Sequence, residues 1–271
     1  MSVSWLEPDW PAPDGVRALS TFRNGGVSLA PYASLNLGDH VGDSPEAVAG
    51  NRRRLRAAAG LPAEPVWLTQ VHGTRVADLD AAGKGPAGSA ELDGAAAAGL
   101  GHPADFGASG SVGPADAAFT RRRGRVCAIL AADCLPVVLA ADSGELVAAA
   151  HAGWRGLAGG VIEATVTALR VRPERLMAWL GPAIGPGHFE VGAEVREALL
   201  KGDSEAEAAF APNARGRFMA DLWLLARRRL AALGVERIYG GGQCTFGEGE
   251  RYFSHRRDGM TGRQATLIWL V

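Results

Sequence analysis

Cysteine is scarce in this sequence: Cys127, Cys134 and Cys244 are the only three in 271 residues. An odd, small number argues against a disulfide framework, and each is by default a small buried hydrophobe unless its surroundings say otherwise. Neither sign of charge dominates, with Lys plus Arg at 28 and Asp plus Glu at 29, so there is no global field to hold a nucleic acid or an anionic membrane. Long apolar runs are missing as well. Stretches such as Ala128 to Ala132 are soon broken by charge and are too short to cross a bilayer. Met1 to Trp10 is acidic and punctuated by Pro8, without the basic start and apolar core of a secretion signal. The expectation is a cytoplasmic protein, monomer or homodimer, that engages neither nucleic acid nor membrane and binds small ligands. No CxxC or HExxH fixes two metal ligands on one short turn.

What is present is a chain with 47% hydrophobic residues, enough for a substantial core. Val16 to Phe22 reads as a strand, followed by a Gly turn at Asn24 to Gly26 and a polar loop through Asn36 and His40. Ser44 as N-cap, Pro45 at the first helical position and Gly60 as terminator predict a helix whose Asn51 to Arg56 stretch is a solvated face. Val66 to Val71 is strand-like and delivers Gln70 and His72 to the turn at Gly73. Residues 81–114 are rich in Gly, Ala, Ser and Pro and read as an insertion or flexible loop. The apolar runs Val126 to Ala131 and Leu135 to Ala140 flank a corner at Asp133 and Cys134, and a third run, Leu146 to Ala150, ends at His151. Glycines at 153, 156, 159 and 160 then open a helix through roughly Arg170. A strand at Leu176 to Leu180, helices at Val191 to Leu200 and Asp221 to Leu233, and strands at Arg237 to Tyr239 and Ala265 to Leu270 complete an α+β chain. The strands either side of residues 81–114 each carry a candidate ligand, which favours one domain over 1–271.

His72, Cys134 and His151 each lie where an apolar strand gives way to a turn, so they can meet at one sheet edge. A thiolate and two imidazoles offer zinc three ligands and leave a fourth position for water or substrate, the pattern of a catalytic site. Dispersed spacing leaves the alternative open that Cys134 is core packing and the histidines are ordinary loop residues. HAGWRGLAGG at His151 adds an anion argument, because glycines ahead of a helix let backbone N–H groups approach a phosphate, with Arg155 as its clamp. A tight turn that merely permits close packing explains the same glycines. GPAIGPG at Gly181 to Gly187 reads as a rigid turn lining the site, since its prolines remove backbone donors.

TFRNGGVS at Thr21, PYASLNLGDHVGD at Pro31, TQVHG at Thr69, ADCLPVVL at Ala132 and HAGWRG at His151 together resemble the YfiH-like laccase-domain family. LGPAIGP, QCTF and FSHRRDGMTGRQA extend the resemblance over nearly the whole chain, with residues 81–114 as the main departure. It implies a single-domain, four-layer fold of mixed β-sheets flanked by helices, and zinc ligation by His72, Cys134 and His151. It also implies phosphorolysis of adenosine, inosine and methylthioadenosine, with adenosine deamination as a second activity, so that the partners are a purine nucleoside and phosphate. On that reading Asp133 relays a proton or orients His151, and Arg155 clamps phosphate. Arg23, Asn36 and Gln70 offer polar groups for ribose or base, and His255, Arg256 and Arg257 could reach phosphate or a partner subunit.

The family name suggests copper and phenol oxidation, yet a four-copper oxidase needs paired HxH histidines, and the six histidines here form no such pair. A single copper on two histidines and one cysteine stays open. So do a thiol hydrolase, with Cys134 as nucleophile activated by His151 or His72, and a non-catalytic cell-wall precursor editing protein.

Overall fold

A computed structural model describes residues 2–81 and 113–271; the expected insertion at 81–114 falls almost wholly outside the described residues. Two large sheets dominate. One contains β1 (Trp5–Leu6), β2 (Val16–Thr21), β3 (Val66–Trp67), β6 (Val126–Ala131) and β14 (Gln264–Leu270), in the order β1-β2-β14-β6-β3. The other contains β4 (Val76–Asp78), β5 (Ala117–Thr120), β7 (Leu135–Ala141), β8 (Val147–Ala152), β9 (Leu176–Leu180) and β13 (Arg237–Gly240), in the order β13-β9-β7-β8-β5-β4. A small sheet of β10 (Glu190–Val191), β11 (Phe210–Pro212) and β12 (Phe218–Ala220), absent from the sequence reading, lies in the order β10-β12-β11.

Side-chain alternation along the strands builds the layers. In β6, Val126, Ala128 and Leu130 join an outer core with Leu55 of helix α1 (Pro45–Ala59), while Cys127 and Ile129 turn inward. In β7, Val138 and Ala140 join that inner core, and Leu135, Val137 and Leu139 face outward. The outward residues pack on helices α2 (Trp154–Gly159), α3 (Val161–Leu169), α4 (Ala193–Leu200) and α5 (Leu222–Ala232). The result is helix, sheet, sheet, helices, the four layers expected. Burial on both faces explains why β6, β7 and β8 read as unbroken apolar runs.

The first long helix is capped as predicted. Ser44 Oγ accepts from Ala47 N–H, and Gly60 adopts φ +59° to receive the chain end. Its expected solvated face needs correction at Leu55, which is core, and at Asn51, which is fully buried and accepts from Val27 N–H while donating to Ser28 Oγ, Ser34 O and Asn36 O. The loop after β2 folds around that amide.

Two further expectations shift. The strand over Val66 to Val71 shortens to Val66–Trp67, because the Gln70 side chain takes over the pairing, donating to Leu130 O and accepting from Leu130 N–H at 2.8 Å each. Of the glycines after His151, only Gly153 stands ahead of the first helix, as its N-cap, and Gly156 and Gly159 lie inside it. Trp154–Gly159 is already helical, and Gly160 at φ +95° breaks it from α3. The polar loop at 254–262 contains a short helix α6 (His255–Asp258), capped by Ser254. No helix among the described residues is long and apolar enough to cross a membrane.

Candidate metal centre

The two large sheets exchange the chain at Ala132, Asp133 and Cys134, between β6 and β7. The reversal places Asp133 at φ +94°, outside the usual range for a side-chain-bearing residue. Its carboxylate holds the corner closed. Oδ1 accepts from Thr245 Oγ1 at 2.6 Å and Oδ2 from Arg256 N–H at 2.7 Å, while Asp133 O accepts from Ile184 N–H at 2.9 Å. Three late segments, GPAIGPG, QCTF and the start of α6, are thereby tied to one turn.

Cys134 leaves that corner beside the end of β8, where Leu135 pairs with Ala152 and Pro136 with His151. His151 is buried one residue before the end of β8, close to the strand end expected for it. His72 comes from the turn after β3. The ligand atoms of His72, Cys134 and His151 all lie within 4.8 Å of one another, with Cys134 Sγ 3.7 Å from His72 Nε2. The two imidazoles meet edge to face at 4.7 Å between centroids.

Asp116, which the sequence reading did not single out, organises the histidines. It is fully buried just before β5. Oδ1 takes His151 Nδ1 at 2.8 Å and His72 N–H at 2.9 Å; Oδ2 takes Val71 N–H at 3.1 Å and Gly73 N–H at 2.7 Å. Three consecutive amides converge on one carboxylate because His72 adopts φ +59°, which turns them to one side. Asp133 therefore does not orient His151, since its own carboxylate is engaged by Thr245 and Arg256. A solitary acid opening a buried strand, in PADAAFT, was the available signal for Asp116.

The electrostatics follow from this packing. Burial opposes charge on Cys134, but the imidazoles of His151 and His72 outweigh it and bring the thiol down to about 6. Burial also opposes charge on His151, and Cys134 with Asp116 overcomes it, lifting the imidazole to about 9. For Asp116, burial is again offset, by His151 and the Gly73 and Val71 amides, and the carboxyl stays below its ordinary value.

The donor set suits a metal ion. It combines one soft sulfur and two imidazoles, with the Nδ1 of His151 held by a carboxylate so that its Nε2 is the available donor. Gly153 keeps the space clear, since a Cβ there would lie 2.8 Å from Cys134 Sγ and 3.0 Å from His72 Cδ2. Among the described residues this is the one such group of three His, Cys, Asp or Glu side chains.

The remaining predicted residues are placed differently. Arg23 donates to Ala33 O twice and to Gly249 O, and stacks on Phe253. Asn36 is fully buried, donating to Gly38 O and Asp43 Oδ2 and accepting from the Gly38 and Arg263 amides. With Gln70 on Leu130, all three direct their polar atoms at the protein itself. Arg155 is exposed on α2 and stacks on Trp154 at 4.4 Å. Arg257 ties Thr245 O, Phe246 O and Tyr252 O together, and Arg256 lies over Phe189. His255 Nδ1 donates to Gly259 O. Cys127 is the buried hydrophobe expected of it, whereas Cys244 is half-buried and its sulfur accepts from the Gly185 and Gly247 amides. Arg263, also unremarked in the sequence, is half-buried with its guanidinium in the field of Cys134 and Asp133.

Residues 17–271 match the family model described as multi-copper polyphenol oxidoreductase laccase. The chain is 50% identical over 266 residues to purine nucleoside phosphorylase YfiH of Escherichia coli (strain K12), covering 98% of each. It is 45% identical over 266 residues to a purine nucleoside phosphorylase of Haemophilus influenzae, covering 97% of this chain and 98% of that one. The crystal structure of a Neisseria meningitidis protein, 45% identical, aligns with a TM-score of 0.85 over 98% of each chain. YlmD from Geobacillus stearothermophilus, 31% identical, aligns at 0.82 over 98% of this chain and 96% of its own. The family model over residues 17–271, 50% identity over 98% of the chain and the shared fold agree, and the chain belongs to the YfiH-like laccase-domain family described as multi-copper polyphenol oxidoreductase laccase.

Proposed function

We propose that this chain is a zinc-dependent purine nucleoside phosphorylase, converting adenosine, inosine or methylthioadenosine to base and ribose 1-phosphate, with adenosine deamination as a second activity. The observation that carries the reading is the cluster of two imidazoles and one thiol within 4.8 Å, in a chain half identical to proteins named for that phosphorolysis. Three protein donors and a glycine-cleared space are the arrangement of an open, catalytic zinc site rather than a closed structural one.

His72, Cys134 and His151 would hold the ion, and zinc, when bound, supplies a Lewis acid that polarises a substrate oxygen. The protein's own part is positional. Asp116 keeps the proton of His151 on Nδ1 and pins the His72 backbone, so both imidazoles are aimed before any ligand arrives. Asp133 acts by holding the corner that presents Cys134. Arg23, Asn36 and Gln70 act through the loops they fasten rather than by touching the nucleoside. The exchange of one three-donor group for paired copper histidines finds no support in the described residues, and stoichiometric copper without zinc in protein purified without added copper would overturn the assignment.

The test is incubation of metal-replete protein with adenosine and phosphate, following ribose 1-phosphate and ammonia, in wild type and Cys134→Ala. Absence of both products with the wild type overturns the proposal. One observation favours a second reading: Asp116, His151 and Cys134 are arranged as the acid, base and nucleophile of a thiol hydrolase. Activity that survives chelation but is lost to an alkylating agent selects that alternative.

A further inference from the structure

Phosphorolysis needs a place for phosphate, and a partly buried arginine with no carboxylate partner among the described residues is where the structure offers one. Gln264 of β14 pairs with Ala131 of β6. Arg263, one residue before that pair, therefore flanks the Ala132 to Cys134 corner. Its backbone is clamped on both sides: Arg263 N–H donates to Asn36 Oδ1 at 2.9 Å, and Leu37 N–H donates to Arg263 O at 3.1 Å. Gly38 makes room for the stem, because a Cβ there would lie 2.8 Å from Arg263 Cγ.

The guanidinium is what needs explaining. Its Nη1 donates to Thr261 O at 2.9 Å and Gly262 O at 3.0 Å, and it forms no ion pair with a described carboxylate. Some other half-buried arginines are paired, Arg229 with Glu163 and Arg228 with Asp203 and Glu205. Burial disfavours the charge on Arg263, with Cys134 and Asp133 opposing that effect through space. The guanidinium is only partly desolvated, so its unbonded N–H groups stay accessible, and an anionic ligand that meets them gains a charge-assisted contact. Thr261 beside it carries a buried hydroxyl that has no partner among the described residues, so the polar groups here are not mutually satisfied.

We propose that Arg263 is the phosphate-binding residue of this chain, receiving an inorganic phosphate dianion at the Ala132 to Cys134 corner through the Nε and Nη2 N–H groups, which have no hydrogen-bond partner among the described residues. A planar fork of two donors matches two phosphate oxygens. Asn36 Oδ1 holds the Arg263 backbone N–H and so the base of that fork, which gives the buried Leu35 to Gly38 centre of the PYASLNLGDHVGD loop a role without contact to substrate. The inference rests on the phosphorylase reading for the identity of the anion, and it moves the clamp from Arg155 to Arg263.

The experiment measures inorganic phosphate binding to metal-replete protein by calorimetry, beside KM for phosphate and for nucleoside, in wild type, Arg263→Met, Arg263→Lys and Arg155→Met. The expected result for Arg263→Met is a loss of phosphate affinity of about tenfold or more, the scale of a charge-assisted bidentate contact. Nucleoside KM and metal content stay as in wild type. Arg263→Lys, which keeps the charge without the fork, falls between. Phosphate affinity unchanged in Arg263→Met, or lost only in Arg155→Met, overturns the proposal. Should Arg263→Met fail to fold, phenylglyoxal labelling of wild type decides: phosphate shields Arg263 if the proposal holds, and equal labelling with and without phosphate refutes it. Phosphate bound through Arg263 without phosphorolysis would defeat the functional reading alone. Phosphorolysis with unchanged phosphate KM in Arg263→Met would defeat this inference alone.

Discussion

Asp116→Asn tests the account of the metal centre most directly. The carboxylate accepts four hydrogen bonds, two on each oxygen: His151 Nδ1 and His72 N–H on Oδ1, and the Val71 and Gly73 amides on Oδ2. An amide of the same shape can keep only one of these pairs, because its NH2 group must face the other two. If NH2 faces Oδ2's partners, the His72 turn loses its anchor. If it faces Oδ1's partners, His151 must give up the Nδ1 proton and carry it on Nε2, which removes the lone pair a metal needs. Two lost hydrogen bonds to a buried charge cost roughly 3–6 kcal/mol at about 1.5–3 each. In a chain of this size that corresponds to a fall in Tm of about 6–24 °C. Loss of a carboxylate behind a ligating histidine weakens metal binding by about 10–100-fold. The assays are a thermal melt of the metal-free protein and a zinc competition titration against a chromophoric chelator. Wild-type zinc affinity together with wild-type Tm would refute the assignment of Asp116 as organiser of the site.

Other consequences follow from the same geometry. In metal-free protein the Cys134 thiol, brought down to about 6 by the facing imidazoles, is ionised at neutral pH, so its alkylation rate is half-maximal near that pH and falls below it. A rate that rises only above the usual thiol range contradicts the arrangement. His151 is lifted to about 9 from 6.5, so protonation stabilises the metal-free fold fully below the lower value, and the contribution disappears as pH climbs through the upper one. A flat difference in Tm between wild type and His151→Gln across that interval argues against it. Gly153→Ala introduces a Cβ 2.8 Å from Cys134 Sγ and is expected to lower bound metal at least about tenfold with the melt nearly unchanged; full metal content would show that the space is not used. Asn51→Ala strands the four partners of a buried amide and should cost about 3 kcal/mol or more, since each orphaned group is worth roughly 1–3, read as a shifted denaturation midpoint.

Local signals were legible in the residues alone. Ser44, Pro45 and Gly60 fix α1, and Asp221 and Gly234 bound α5, because caps and left-handed glycines act within one turn of the chain. The unbroken apolar runs at β6, β7 and β8 announced strands covered on both faces. His72, Cys134 and His151 stood out because their side chains ligate metals and interrupt such runs, and the resemblance to a family joined them before any coordinates did. Residues without a local signature could not be read this way. Asp116 is one acid in a run of small residues, and its meaning comes from three amides over forty residues away along the chain and from His151 on the neighbouring strand. Asp133 sits beside a ligand yet serves the corner, because Thr245 and Arg256 reach its oxygens first. Asn36, Gln70 and Arg23 carry the polar groups of substrate contacts but meet the protein's own backbone and, for Asn36, the Asp43 carboxylate instead. The sequence by itself determined the long helices α1 and α5, the buried strands β6, β7 and β8, and which atoms can hold a metal. Which polar groups remain for a ligand was decided only when the two sheets packed, since a hydrogen bond depends on where distant backbone arrives.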